Sequence, residues 1–450
     1  MKIIADLHIH SRYSRACSSD LSIPNLEKWA RVKGLGLLGT GDFSHPEWQE
    51  ELRKYLKEDG SGILRTESGF AFVLQNEVSL MYSQGGKGRR IHLVLLAPSF
   101  EVVDKITSYL KSKGRVDYDG RPIFNISCIE FAEAMLKISD QIEIIPAHAW
   151  TPWFGIFGSK TGFDSIEESF GPFAKSIHAI ESGLSSDPEM NWRLSRLDNY
   201  NIVSFSDSHS YWPWRIGREA TVFDFEEEGF TYSNLIKALR TGEGLVETIE
   251  VDPGYGKYHY DGHRDCKVSF SPEETKKLKG MCPVCKRPLT IGVLNRVDNL
   301  ADREEKGVRE GFRPANAKPF RRIIPLHDII ALALQSGVAT KKSWAKYYEI
   351  MKIGKDEFDI LLDIPEEKLL EAAESGVDKE IAGLIIKNRR GEIAIKPGYD
   401  GEYGVPIIGG REMKMESGDE DKREKPKKEK SREAEEAPEK KSQTGLGAYF

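Results

Sequence analysis

Lys2-Ile3-Ile4-Ala5-Asp6-Leu7-His8-Ile9-His10 opens the chain, and its reading decides the fold. A short apolar run leads into two histidines spaced by two, which places both imidazoles on one face of an extended segment. Similar apolar runs recur at 36–41, 70–76, 90–96, 142–146, 176–180 and 201–206. Most are separated by amphipathic stretches with helical period: 24–33, 46–57, 102–113, 128–139 and 188–200. Strands alternating with helices predict a parallel sheet with βαβ crossovers. Seven such strands in one run predict an α/β fold closed into a barrel, without any glycine-rich nucleotide fingerprint.

The C-terminal end of each predicted strand carries metal-ligand chemistry. The second ends in Asp42 and His45, and the third in Glu77. The fourth contains His92 and the fifth leads to His148. The sixth leads to Glu181, and the seventh ends in Asp207 and His209. In a β/α barrel that rim is where catalytic groups converge. Imidazole and carboxylate suit divalent ions such as Zn or Mn, and a carboxylate such as Glu77 can bridge two of them. Clustered ions activate water and stabilise the oxygens of a phosphate under attack, so the pattern predicts a metal-dependent phosphoesterase.

These residues together resemble the motifs of the PHP (polymerase and histidinol phosphatase) family. They are Asp6-Leu7-His8-Ile9-His10-Ser11, Asp42 with His45, Glu77, His92, His148 and Asp207-x-His209. The resemblance covers about residues 1–225. It implies a distorted seven-stranded β/α barrel that binds two or three divalent metals (Zn, Mg or Mn). On that basis His8, His10, Glu77 and Asp207 are expected to hold one ion. His92 and His148 hold a second with Glu77 as the bridge, and Asp42, His45 and His209 form the third position. Glu77, Asp207 and Glu181 are the expected catalytic carboxylates, with Glu181 orienting water or a ligand.

The 450 residues leave room for further domains, and the net charge of −6 does not advertise nucleic-acid binding. No apolar run approaches the ~20 residues of a membrane helix, and the N-terminus lacks a signal peptide's apolar core, so a cytoplasmic location is expected. The barrel is read as 1–240. The next unit, 241–315, carries His263-x2-Cys266 and Cys282-x2-Cys285, a spacing that predicts one tetrahedral structural zinc. His259 is the competing fourth ligand. Residues 316–412 have a mainly helical pattern. Residues 413–442 are a charged run that cannot bury enough apolar surface to fold, which predicts a disordered linker. Gln443, Leu446, Tyr449 and Phe450 then resemble the peptide that docks on the sliding clamp PCNA, a short helix plugging apolar side chains into a pocket. Aromatics beside the histidines (Trp150, Trp153, Trp212, Trp214) could stack on a base. Arg215, Arg218 and the 85–90 loop could hold phosphates.

Taken in order, these parts are similar to the archaeal endonuclease Q family. That resemblance implies metal-dependent hydrolysis of DNA immediately 5′ of a deaminated base (uracil, hypoxanthine, xanthine) or an abasic site, with the damaged nucleotide turned out of the helix. A small-molecule phosphatase of the same family would leave the zinc unit, helical region and clamp peptide idle. A non-catalytic, clamp-tethered DNA-binding module would not need so full a ligand set.

Overall fold

The first strand, β1 (Lys2–Asp6), sits in the middle of a mixed sheet. A computed structural model describes residues 1–374, 378–408 and 411–412, which lie in one compact unit spanning Met1–Glu416. The predicted linker 413–442 and clamp peptide 443–450 fall outside the described residues.

Six further strands match the sequence reading: β2 (Leu37–Gly39), β3 (Ala71–Gln84), β4 (Lys87–Ala97), β5 (Glu143–Pro146), β6 (Ala179–Glu181) and β7 (Asn201–Val203). Between them run α1 (Ile23–Lys33), α2 (Pro46–Tyr55), α3 (Phe100–Lys113) and α4 (Cys128–Ile138). The helices begin where capping chemistry allows. The Ser99 and Ser127 hydroxyls accept the backbone N–H groups of Val102 and Glu130. α1 ends at Gly34, whose φ of +98° lets its N–H turn back to the carbonyl of Ala30.

The predicted parallel pairing holds for β1–β2, β2–β3 and β6–β7. The other pairs among β1–β5 are antiparallel. β3 and β4 form a long hairpin, paired from Leu74–Ala97 to Gln84–Lys87, and β4 pairs antiparallel with β5. Gly85 and Gly86, both at positive φ, make the two-residue turn that such a hairpin favours. Beyond the predicted barrel boundary at 240, β9 (Leu245–Glu250) continues the sheet against β8 (Ala220–Asp224), and Phe320–Arg322 pairs with β9. The helix α5 (Tyr232–Thr241) lies between β8 and β9 in the chain.

Ile3, Leu37, Val73, Val94, Ile145, Ala179, Val203 and Phe223, one from each of β1–β8, meet in a single buried cluster with Tyr232, Leu235 and Ile236 of α5. The β6–β7 ribbon is not laddered to the sheet. It is joined by single backbone bonds: Ala149 N–H donates to the Glu181 carbonyl, and His10 N–H to that of Ser208, both at 2.9 Å. Two buried carboxyl groups staple it further. Asp6 accepts from Ser206 N–H (3.0 Å) and Ser206 Oγ (2.5 Å), and Glu250 accepts from Ser182 Oγ (2.9 Å) and Ser204 Oγ (3.1 Å).

The helical region contributes α6 (Leu326–Leu334), α7 (Lys341–Ile350), α8 (Glu366–Glu374) and α9 (Lys379–Arg389). A small sheet of Ala394–Lys396, Val405–Ile408 and Arg411–Glu412 follows. The region is fastened to α1 by Lys33, whose Nζ lies 2.6 Å from Glu357 with both side chains fully buried. Such a pair tolerates burial only when its remaining donors and acceptors are used. Here Pro213 O accepts from Lys33, and Glu357 accepts from Leu326 N–H and Tyr347 O–H. No described helix is long and apolar enough to cross a membrane.

Candidate metal centre

Glu77 stands mid-strand in β3 with its carboxylate wholly buried, and two sets of imidazoles face its two oxygens. Oε2 lies 3.2 Å from His10 Nε2 and 3.6 Å from His8 Nε2. Asp207 Oδ1 closes that group at 3.1 Å from His10 Nε2 and 3.5 Å from His8 Nε2. On the other side, Oε1 lies 2.8 Å from His92 Nδ1 and 3.2 Å from His148 Nε2. The two groups, His8–His10–Glu77–Asp207 and Glu77–His92–His148, therefore share one carboxylate.

Strand ends aim these groups by local backbone strain. Asp42, His148 and Asp207 have φ of +43°, +30° and +47°, a left-handed conformation that non-glycine residues adopt at a cost. Two of the three turns are held by bonded partners. His148 N–H donates to Glu181 Oε2 at 2.7 Å, and the Asp42 carboxylate accepts from Ser11 N–H (2.6 Å), Ser11 Oγ (2.6 Å) and Ser14 Oγ (2.9 Å).

Partners behind the imidazoles fix their orientation. His8 Nδ1 sits 3.0 Å from both oxygens of Glu181, His10 Nδ1 is 3.0 Å from Asp42, and His148 Nδ1 is 3.0 Å from Thr151 Oγ1. In each case the other ring nitrogen is turned toward Glu77, the arrangement by which outer partners tune metal-binding histidines. His8 Nε2 is buried and makes no hydrogen bond. A lone pair left orphaned among carboxylates costs free energy unless a cation joins it. The donor set thus fits divalent metal at both groups.

The ionisation of the site points the same way. Burial alone would lower the pKa of His8 and His10. For His8, Glu181, Asp207 and Glu77 raise it well above the usual value, and for His10, Asp42, Asp207 and Glu77 do so. Burial likewise opposes ionisation of Glu77, but His92, Arg121 and His8 hold its carboxyl well below the usual range. In the metal-free chain the carboxylates thus favour positive charge at these imidazoles, the charge a divalent ion would supply.

The remaining predicted ligands lie apart from these groups. Asp42 turns its carboxylate to His10, Ser11 and Ser14 and is not in either group. His45 begins α2, stacks on Tyr13 at 4.2 Å between ring centres, and joins no ligand group among the described residues. The His209 ring lies 4.3 Å from that of His10, and burial pushes its pKa down to about 4. It too stays outside both groups.

The predicted DNA contacts divide. Trp150 is fully buried with its indole N–H on Asn191, so it packs in the core and offers no face to a base. Trp212 and Trp214 stack at 5.4 Å and pack with Trp29, Trp344 and His327 where the helical region meets α1. Trp153 is half-buried against Tyr258. Arg218 donates twice to the Ser206 carbonyl, supporting the turn before Asp207, and Arg215 is half-buried near Asp328. The stretch 85–90 is a loop only at Gly85 and Gly86; Arg89 lies in β4 and is tied to Gly162 and Glu168. Sequence reasoning missed Arg121, whose Nη1 is 3.0 Å from Glu77 Oε2. It follows no strand of the expected set and carries no spacing signal.

The second centre is the cysteine knuckle. His263, Cys266, Cys282 and Cys285 bring their ligand atoms within 4.8 Å of one another, with His263 Nδ1 3.4 Å from Cys285 Sγ. His259 is not among them; its ring stacks on Tyr260.

No family model matches the chain. An uncharacterised protein of Methanocaldococcus jannaschii is 31% identical over 293 residues, which cover 65% of this chain and 34% of that protein. The uncharacterised protein YqxK of Bacillus subtilis is 27% identical over 423 residues, covering 90% of this chain and 98% of its own. The chain thus spans about a third of the first relative and nearly all of the second. Among solved structures, a lesion-specific endonuclease from Pyrococcus furiosus superposes with a TM-score of 0.79 at 30% identity, over 91% of this chain and 96% of that one. Endonuclease Q in complex with a 27-mer duplex substrate bearing an abasic lesion at the active site gives 0.78 at 30% identity, over 91% and 97%. With agreement of that extent along both chains, this chain belongs to the endonuclease Q family.

Proposed function

We propose that the chain is a metal-dependent DNA repair endonuclease that hydrolyses the phosphodiester immediately 5′ of a deaminated base (uracil, hypoxanthine or xanthine) or an abasic site. The observation that carries the reading is the shared Glu77 carboxylate between two ligand groups, in a chain whose relative of similar length is solved with an abasic duplex. In this reading β1–β8 and their inner apolar cluster form the distorted barrel. The knuckle is a structural zinc site, the helical region completes the DNA-facing body, and Gln443, Leu446, Tyr449 and Phe450 tether the enzyme to a sliding clamp.

Divalent ions at such a site supply Lewis acidity and lower the pKa of water toward neutrality. The chain's residues do the rest. Glu181 and Asp42 keep His8 and His10 in the tautomer and orientation that turn Nε2 inward. Thr151 does the same for His148. Glu77 and Asp207, held ionised, provide the anionic seats, and the buried setting limits bulk water so that each charge counts for more.

Incubating the protein with Mn or Mg and duplexes carrying uracil, hypoxanthine, an abasic site or no lesion, beside a phosphomonoester, tests the reading. Site-specific nicking that disappears in Asp207→Asn is expected. Hydrolysis of the monoester alone would refute it in favour of a phosphatase, and binding without cleavage would favour a non-catalytic module. Truncation of 443–450 should abolish clamp binding without changing nicking; undiminished clamp binding refutes the tether.

A further inference from the structure

We propose that Arg121 is a catalytic residue, binding a non-bridging oxygen of the phosphodiester to be cut. The inference rests on the proposed nuclease reading. Three observations carry it.

Arg121 is the one described arginine in contact with a ligand carboxylate, at 3.0 Å from the oxygen of Glu77 that also faces His8 and His10. Among the described residues that contact is the only hydrogen bond its guanidinium makes, which leaves most of its five N–H donors available. The side chain is 27% exposed while that of Glu77 is 0% exposed, so it lies at the open margin of the site, where a substrate phosphate would arrive.

The segment is also rigidly held. Gly120 N–H donates to Tyr13 O at 3.1 Å, and a Cβ at Gly120 would collide with the Asp42 carboxylate. Arg121 N–H donates to Asp119, which pairs with Arg15. On the other flank, Ile123–Phe124 pairs with Ser79–Leu80 of β3. A side chain on a backbone held this way, with one nitrogen already fixed on Glu77, pays less ordering entropy when a phosphate binds.

Charge balance supplies the reason for its presence. Divalent ions at the two groups would already outweigh Glu77 and Asp207, so an additional cation beside them is unfavourable until an anion joins. A phosphodiester supplies that anion, and guanidinium matches its oxygens in a forked geometry. Of the arginines expected to hold phosphate, Arg89 and Arg218 already donate to protein acceptors.

The experiment compares wild type, Arg121→Gln and Arg121→Lys, each loaded with Mn. Three readouts are taken: metal per chain, kcat and KM on an abasic duplex, and the rate penalty of a sulfur in place of a non-bridging oxygen at the scissile bond. Loss of a preorganised donor to a charged oxygen costs on the order of 10²–10³ in rate. Arg121→Gln should therefore lose that much in kcat at unchanged metal content, Arg121→Lys should recover part of it, and the sulfur penalty should shrink in the glutamine variant. Metal content that falls with activity would overturn the inference and make Arg121 a positioning residue for Glu77. An identical sulfur penalty in wild type and Arg121→Gln would overturn it as well. A wild-type protein that holds metal yet cuts no duplex would overturn the nuclease reading together with this one, so the two failures are told apart.

Discussion

The histidine–carboxylate centre and the cysteine knuckle are built on opposite plans. The first gathers ligands from positions 8 to 207, drawn from strands and strand ends across the sheet, and the second closes within 263–285. The first is ringed by orienting partners, three strained backbones and a charged arginine. The second is completed by four side chains on a hairpin and a knuckle, with no position left open. Ligands drawn from across a fold can be held apart from one another and aimed, which suits chemistry. Ligands drawn from one short stretch fold around their ion, which suits stability.

The largest expected effect breaks the first centre alone. Glu77→Gln removes the carboxylate that both groups use, so nicking of an abasic duplex should vanish while the thermal unfolding curve retains one cooperative transition. Cys282→Ser is the converse. It should lower the unfolding midpoint and expose 241–315 to protease, with kcat per folded molecule unchanged; a specific loss of kcat at unaltered stability would mean that the knuckle takes part in the reaction.

Asp42→Asn sharpens the contrast between ligand and orienting residue. Loss of an outer partner typically costs 10–100-fold in metal affinity, so a loss in that range measured by chelator competition is expected. Complete loss of the ion would make Asp42 a ligand.

The smallest effect is a pH slope. Burial pushes the Glu250 carboxyl from 4.5 up to about 8, with Asp187 adding repulsion. The folded chain keeps a proton there that the unfolded chain releases, so stability should fall as pH rises between about 4.5 and 8. Glu250→Gln, which is neutral throughout, should flatten that slope in melts of the metal-free protein. An unchanged slope would assign it to other groups, Glu219 foremost.

Much of this was legible in the sequence because ligand chemistry at strand ends follows from period-two spacing and the geometry of α/β folds. His8, His10, Glu77, His92, His148, Glu181 and Asp207 all come from that rule, and the structure brings them together. Gly85-Gly86 signals the β3–β4 hairpin, but β3 runs on past Asn76, where the sequence pattern ends the strand at its ligand. Arg121 was not legible. It lies in a loop, and its value depends on a neighbour 44 positions away. The staples Asp6 and Glu250 escaped for a similar reason, since a buried carboxylate that accepts hydroxyls looks in sequence like any other acidic residue. The tryptophans carry an ambiguous signal: aromatic runs beside a ligand serve core and interface packing as readily as stacking.

Counting ions by native mass spectrometry in wild type and Glu77→Gln tests the shared-carboxylate claim most directly. The account predicts ions at both centres in wild type and only the knuckle ion in the variant. A variant that kept the full complement of ions, or still nicked damaged duplex, would contradict it.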